Sequence, residues 1–283
     1  MFSRLRHLCI VVGAVCAAGG ALEAQAVRSR SADYLFAASA NDARALWVNP
    51  AGLAVMSGAS IMAEFALEFP PDTNTRFAQW SAGFTSRGLS LGYQRDRFAE
   101  DPNTGTLRFG LAFPFRKGAV GASFSFYQGS AVDTAAHRSV DLGVRYRLLT
   151  PLDLGIVLRN IGRPTPRAER QPLVGVLAAN LSVIPSHADL QVEVLAAERL
   201  AGSGYDMSYR GGVRLSTSGK IPLAVLGVLD VDSDFGLVTW AVGLTIGGRD
   251  SGTALASGPA GSGRTRLQRA SLTGVATRLF SGQ

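Results

Sequence analysis

Between residues 58 and 248 apolar and polar side chains alternate with a period of two. Leu107, Phe109, Leu111, Phe113 and Phe115 alternate with Arg108, Gly110, Ala112 and Pro114. Val140, Leu142, Val144, Tyr146 and Leu148 alternate with Asp141, Gly143, Arg145 and Arg147, and Val238, Trp240, Val242, Leu244 and Ile246 with Thr239, Ala241, Gly243 and Thr245. A period of two puts each set on one face of a strand. One face is wholly apolar and the other small or charged. The pattern predicts about 12 strands of about 10 residues, the length a tilted strand needs to cross a bilayer. They are expected at 58–69, 77–86, 88–98, 106–115, 119–128, 138–148, 152–161, 173–184, 188–198, 208–217, 221–230 and 237–248.

The connections alternate in length. Arg87-Gly88, Arg116-Lys117-Gly118, Thr150-Pro151, Pro185-Ser186-His187 and Ser218-Gly219-Lys220 are tight, while 70–76, 99–105, 129–137, 162–172, 199–207 and 231–236 are longer and polar. Short turns at one end and long loops at the other mark an antiparallel transmembrane β-barrel, with the short turns facing the periplasm. Two segments flank the predicted barrel at 58–248. Residues 27–57 come first, helix-compatible over 41–46; residues 249–283 come last and read as a flexible periplasmic tail, Gly/Ser/Ala-rich over 250–263. Counting that tail as strands gives the alternative of fourteen.

The first residues bear on the compartment. Arg4, Arg6 and His7 precede an uncharged apolar run from residue 8 to about 22, which ends in Glu23-Ala24-Gln25-Ala26. This is the pattern of a secretory signal peptide over residues 1–26, cleaved after Ala26. Cys9 and Cys16, the only cysteines, both fall inside it. The mature chain is therefore expected to lack a disulfide framework, a thiol nucleophile and Cys-ligated metal. The formal net charge is +7. No basic stripe interleaved with aromatics accompanies it, which argues against nucleic acid as a partner.

Just before the first strand the chain reads Asn41-Asp42-Ala43-Arg44-Ala45-Leu46-Trp47-Val48-Asn49-Pro50-Ala51-Gly52-Leu53-Ala54. This resembles the signature of the FadL-like outer-membrane barrels, a group that includes long-chain fatty acid transporters and the PorV/PorQ proteins of type IX secretion. Leu158-Arg159-Asn160-Ile161-Gly162 resembles a stretch that recurs at a mid-barrel strand end in the PorV-like branch. In FadL-like transporters the matching N-terminal segment is a hatch inside the barrel. The resemblance thus implies a lumen plug carrying Asn49, Pro50, Ala51, Gly52 and Leu53. Pro50 biases Asn49 away from helix, and Gly52 permits a sharp redirection. Two functions are implied: passive transport of hydrophobic or small solutes, with outer-membrane lipid and hydrophobic small molecules as partners, or a non-enzymatic assembly role with secretion-system proteins. The hatch is shorter here than in the fatty acid transporters, and their long ligand-capturing loop has no counterpart.

Charged side chains facing lipid near the bilayer midplane cost roughly 2–4 kcal/mol for Arg or Lys. Arg108, Asp141, Arg145, Arg147, Asp153, Arg159, Gln191, Glu193, Arg210 and Arg214 are therefore expected to point inward, as an ion-pair network filling the lumen or as a polar constriction. Other motifs are weaker. Residues 258–265 miss a P-loop by one position, because Arg264 replaces the lysine. Asp230, Asp232 and Asp234 have the spacing that opens a calcium loop, but no Glu follows at the twelfth position. After cleavage only His137 and His187 remain, placed at opposite ends of the barrel, and no Gly-x-Ser-x-Gly elbow is present. Neither catalysis nor a cofactor is expected.

Overall fold

The computed structural model describes residues 29–55, 58–69, 74–97, 104–129, 137–166, 170–247, 253–259 and 269–279. The signal peptide expected at 1–26 lies outside them. Two short helices come first, α1 (Ser31–Tyr34) and α2 (Ala45–Val48), followed by a 3-10 turn (Pro50–Ala54). Fourteen strands follow: β1 (Gly58–Glu68), β2 (Arg76–Ser86), β3 (Leu89–Asp96), β4 (Thr104–Phe115), β5 (Gly118–Gln128), β6 (Arg138–Leu149), β7 (Leu152–Ile161), β8 (Val174–Ile184), β9 (Ala188–Glu198), β10 (Tyr205–Ser216), β11 (Leu223–Asp232), β12 (Leu237–Ile246), β13 (Thr253–Pro259) and β14 (Arg269–Leu279).

Each strand pairs antiparallel with its sequence neighbours, and β14 pairs with β1 from Gly58↔Leu279 to Glu68↔Arg269, which closes the sheet into a barrel. The expected count of twelve is therefore corrected to fourteen, and the barrel extends from residue 58 to 279 rather than to 248. Residues 253–259 and 269–279, expected in a flexible tail, are the two closing strands. The physical reason is the edge. In this barrel β1 and β12 do not pair with each other; β14 and β13 stand between them, and without these two strands both edges would carry unpaired backbone groups. The tail resembled a linker because the outward residues of β14 are mostly small: Gly274 and Ala276 stand beside Leu272, while Ser271, Thr273 and Val275 are buried.

The twelve earlier strands fall within three residues of their expected bounds. Their apolar sets face outward. Ile61, Phe65, Phe84, Leu91, Phe109, Phe113, Leu142, Ile156, Leu177, Val192, Val225, Val242 and Leu244 are all exposed. Ser60, Glu64, Ser81, Gln94, Thr106, Ser123, Ser125, Asp141, Gln191, Glu193 and Arg210 are buried on the inner face. A continuous apolar belt over a polar interior inverts the order of a water-soluble barrel and suits a lipid surround. At the far end of β7 the Leu158–Gly162 stretch breaks the ladder. Asn160 and Gly162 take left-handed φ values of +61° and +100°, and the β6–β7 register shifts between Val140 and Leu142. The Asn160 amide N–H donates to Asp141 Oδ1 (2.8 Å), and its side chain to the Pro172 carbonyl (2.9 Å).

Candidate functional site

Residues 29–55 lie inside the barrel. Their hydrogen bonds reach inward side chains or backbone of β1, β2, β4, β6, β7, β9, β10 and β14, a set of walls that only a segment in the lumen can touch. The path runs from the long-loop end to the short-turn end. At the first, Arg30 pairs with Glu68, the last residue of β1, at 3.4 Å, and Arg76 and Arg269 converge on the same carboxylate. One step inward, Ser31 Oγ donates to Glu64 (2.9 Å). Thr273 also donates to Glu64 (2.8 Å), so the bond between the Tyr34 and Thr273 hydroxyls (3.0 Å) has Tyr34 as donor. Ala37 N–H donates to Glu193.

The wall arginines answer the segment's main chain. Arg210 donates to the Ala32 carbonyl (2.6 Å), Arg159 to Val48 (2.8 Å), Arg145 to Ala40 (3.2 Å) and Arg108 to Leu46 (3.4 Å). Ala32, Leu46 and Val48 belong to four-residue helices, whose carbonyls find few partners within the helix. The guanidiniums supply those partners while pairing with wall carboxylates: Arg108 with Asp141 at 3.0 Å, Arg145 with Asp153 at 3.1 Å, and Arg210 with Asp230 and Glu193. Paired charge is what makes such a buried network tolerable. The expected polar network thus does more than fill space, because its members hold the enclosed segment. Arg147 and Arg214 stand apart, lining the mouth at the short-turn end. The Arg147 side chain is 60% exposed and pairs with Asp153.

The Asn49–Leu53 stretch sits against β4, β5 and β6. Asn49 is extended (φ −151°, ψ 107°), as a residue before proline should be. Its Oδ1 accepts from Ala51 N–H (3.1 Å), capping the 3-10 turn, and its Nδ2 donates to the carbonyls of Ala37 (2.7 Å) and Val144 (3.2 Å). Pro50, Ala51, Gly52 and Leu53 are all buried. Gly52 serves close approach rather than redirection, since a Cβ there would collide with the Ala40 carbonyl. A run of inward glycines on the wall has the same origin. A Cβ on Gly121 would come within 2.5 Å of the Pro50 carbonyl, and one on Gly83 within 2.8 Å of the Trp47 ring. Gly92, Gly110, Gly143 and Gly155 meet the segment likewise.

A cavity of about 220 Å³ lies between the segment and the wall at the short-turn end, bordered by the Thr150-Pro151 turn, Asp42, Arg44, Arg145, Arg147, Asp153, Asn180, Gln191 and Arg214. Asp42 and Arg44 form an ion pair within the segment, with Arg44 Nε 3.0 Å from Asp42 Oδ1. Burial alone would raise the Asp42 carboxyl. The Arg44 guanidinium and its hydrogen bonds outweigh that and hold the carboxyl below its ordinary value.

The three carboxylates of the candidate calcium loop do not gather into one cluster. Asp230 is engaged by Arg210, and Asp232 Oδ1 accepts the N–H groups of Asp234 (2.9 Å) and Gly236 (2.7 Å). Among the described residues no cluster of His, Cys, Asp or Glu could hold a metal ion. Sequence reasoning did not single out Tyr34, Asp42, Arg44, Glu64 or Thr273. The inward glycines were its one legible trace, since alternation already placed them on the polar face.

No protein-family model matches the chain, and a comparison with curated proteins finds no match either. Solved structures do match. A FadL homologue from Pseudomonas aeruginosa aligns at TM-score 0.54 and 10% identity, covering 87% of this chain and 96% of that one. The CymD monoaromatic hydrocarbon channel aligns at 0.55 and 9%, covering 88% and 95%. The toluene transporter TodX of Pseudomonas putida aligns at 0.50 and 11%, covering 86% and 96%. At such identities the likeness concerns the fold: the architecture of this chain is that of a FadL-like barrel.

Proposed function

We propose that the chain is an outer-membrane barrel that passes small solutes passively, with residues 29–55 as the plug that sets its permeability. The short turns face the periplasm in this reading. The observation that carries it is the docking just described, in which four wall guanidiniums and the Asn49 amide bind main-chain carbonyls of a segment enclosed by the wall. The hydrocarbon channel and the toluene transporter named above lend support, as proteins of the same architecture with a transport role. No feature of the described residues favours the alternative of holding secreted cargo or partner subunits.

The test combines Asn49→Ala with Pro50→Ala. Leaving buried carbonyls without a donor costs about 1–3 kcal/mol each, small beside a closed ladder but enough to shift a two-state plug. The variant barrel is expected to fractionate with outer membranes and to keep heat-modifiable migration on a gel. In planar bilayers it should show openings that the unaltered protein lacks. A folded variant whose conductance and solute uptake match those of the unaltered barrel would reject the plug.

A further inference from the structure

We infer that the short-turn mouth of the barrel is a binding site for small organic anions, so that the solutes this channel handles are polar and negatively charged rather than hydrocarbon. The inference rests on the transport reading for its biological sense, but the site itself follows from the charges around the cavity.

Four guanidiniums line that cavity, from Arg44, Arg145, Arg147 and Arg214. Its carboxylates are fewer, and two of them are shared. Asp153 accepts from both Arg145 (3.1 Å) and Arg147 (3.0 Å). Asp42 accepts from Arg44 and lies near enough to Arg214 to have its charge stabilised by it. Asp189 accepts from Ser182 Oγ. The lining thus holds an excess of positive charge. The amides of Asn180 and Gln191, bonded to each other at 2.9 Å, add neutral hydrogen-bonding groups.

The rim repeats the bias. Arg87, Arg116, Lys117, Lys220 and Arg278 are exposed around this end, and among the described residues no exposed carboxylate accompanies them. At the opposite end the exposed charges alternate in sign, as in Arg163–Glu198 at 2.6 Å and Arg199–Asp206 at 2.6 Å. A concave mouth of net positive charge, walled by low-dielectric barrel and lipid, concentrates counter-ions. A volume of about 220 Å³ is below that of drug-sized pockets, which begin at roughly 300 Å³. It suits a solute of dicarboxylate size. A hydrocarbon in the same place would cover guanidiniums without giving them an acceptor.

The site is tested without requiring transport. Purified barrel in zwitterionic detergent is dialysed to equilibrium against labelled succinate, with glucose and putrescine as neutral and cationic comparisons. Succinate should be retained well above both, and more weakly at high salt. Arg147→Ser combined with Arg214→Ser should weaken retention about tenfold, the loss of one charge-assisted hydrogen bond's worth of affinity. Arg147→Lys, which keeps the charge at a largely exposed position, should retain most of it and guards against misfolding as the cause. Equal retention of the three solutes, or succinate retention that survives the double serine variant, overturns the site. Conductance through the plug-loosened barrel is read separately. Retention without conductance would sustain the site and reject transport, while conductance without retention would do the reverse.

Discussion

The two sides of the barrel wall meet the enclosed segment in different ways. From β2 to β7 the segment presses directly on the main chain of the wall, between the arginines that bind its carbonyls. The inward glycines let Trp47, Leu46, Asn49 and Pro50 press against the strands with no room for a Cβ. From β8 to β12 one inward glycine, Gly212, meets the Phe36 ring, and long side chains supply much of the rest. Glu193 and Arg210 bridge to Ala37 and Ala32, Val228 and Leu226 pack on Tyr34 and Phe36, and the mouth cavity opens beneath. Glycine weakens a strand through its conformational entropy and lack of a side chain, so six of them on one wall need a compensating gain, and close packing of the segment supplies it. Outward Gly211, Gly227 and Gly274 meet nothing within 4 Å and carry no such constraint. The first side is thus a fitted surface and the second an adjustable one.

The sharpest way to break this contrast is volume. Gly121→Leu, aimed at the Pro50 carbonyl, should prevent the segment from seating and give a persistently conducting barrel. Gly227→Leu, on the outer face, should leave conductance and thermal stability unchanged. Bilayer recordings of the two variants decide, and equal behaviour would dissolve the distinction. On the adjustable side, Arg210→Ala strips the cation from Asp230 and Glu193 and a donor from Ala32. Breaking a buried pair in this way costs about 3–5 kcal/mol, read as a lower temperature for the heat-modifiable gel shift. The loss should appear as lowered stability before it appears as a stable open pore.

The smallest effect concerns acid. The Asp42 carboxyl is held below its ordinary value in the folded protein. Its contribution is therefore complete above the unfolded value, about 3.9, and is lost as pH falls through the lower folded value. The acid-induced increase in conductance of the unaltered protein should begin only below about pH 4. Asp42→Asn should start from a looser baseline and lack that component of the acid response. A parallel response in both proteins would show that the Asp42–Arg44 pair does not help to hold the segment.

Much of this arrangement was legible in the chain. Alternation located β1–β12 because the outward residues are bulky and apolar while the inward ones are polar or small, as with Phe109 beside Arg108 and Leu142 beside Asp141. It failed at β13 and β14; in β14 small outward residues such as Gly274 and Ala276 give no contrast with Ser271 and Thr273. Charge reasoning placed Arg108, Arg145, Arg159 and Arg210 inward, because lipid would not accept them. What each of them binds depended on the segment's carbonyls, and backbone groups leave no mark in a sequence. Asp230 looked like part of a metal loop because spacing records neither the strand that turns it inward nor the arginine opposite.

The closure of β1 on β14 also sets an order in time. The Tyr34–Thr273 contact joins residues 239 positions apart, so the strand that completes the enclosure is among the last to find the segment in a folding chain. Contacts of such high sequence separation form late, because loop-closure entropy is spent before they return anything. An open, curling sheet can wrap around a segment already lying against β2–β7, whereas a finished barrel would have to be threaded. If residues 29–55 template assembly in this way, a variant that seats them poorly should slow the last, ring-closing phase of refolding even where the final barrel is unchanged.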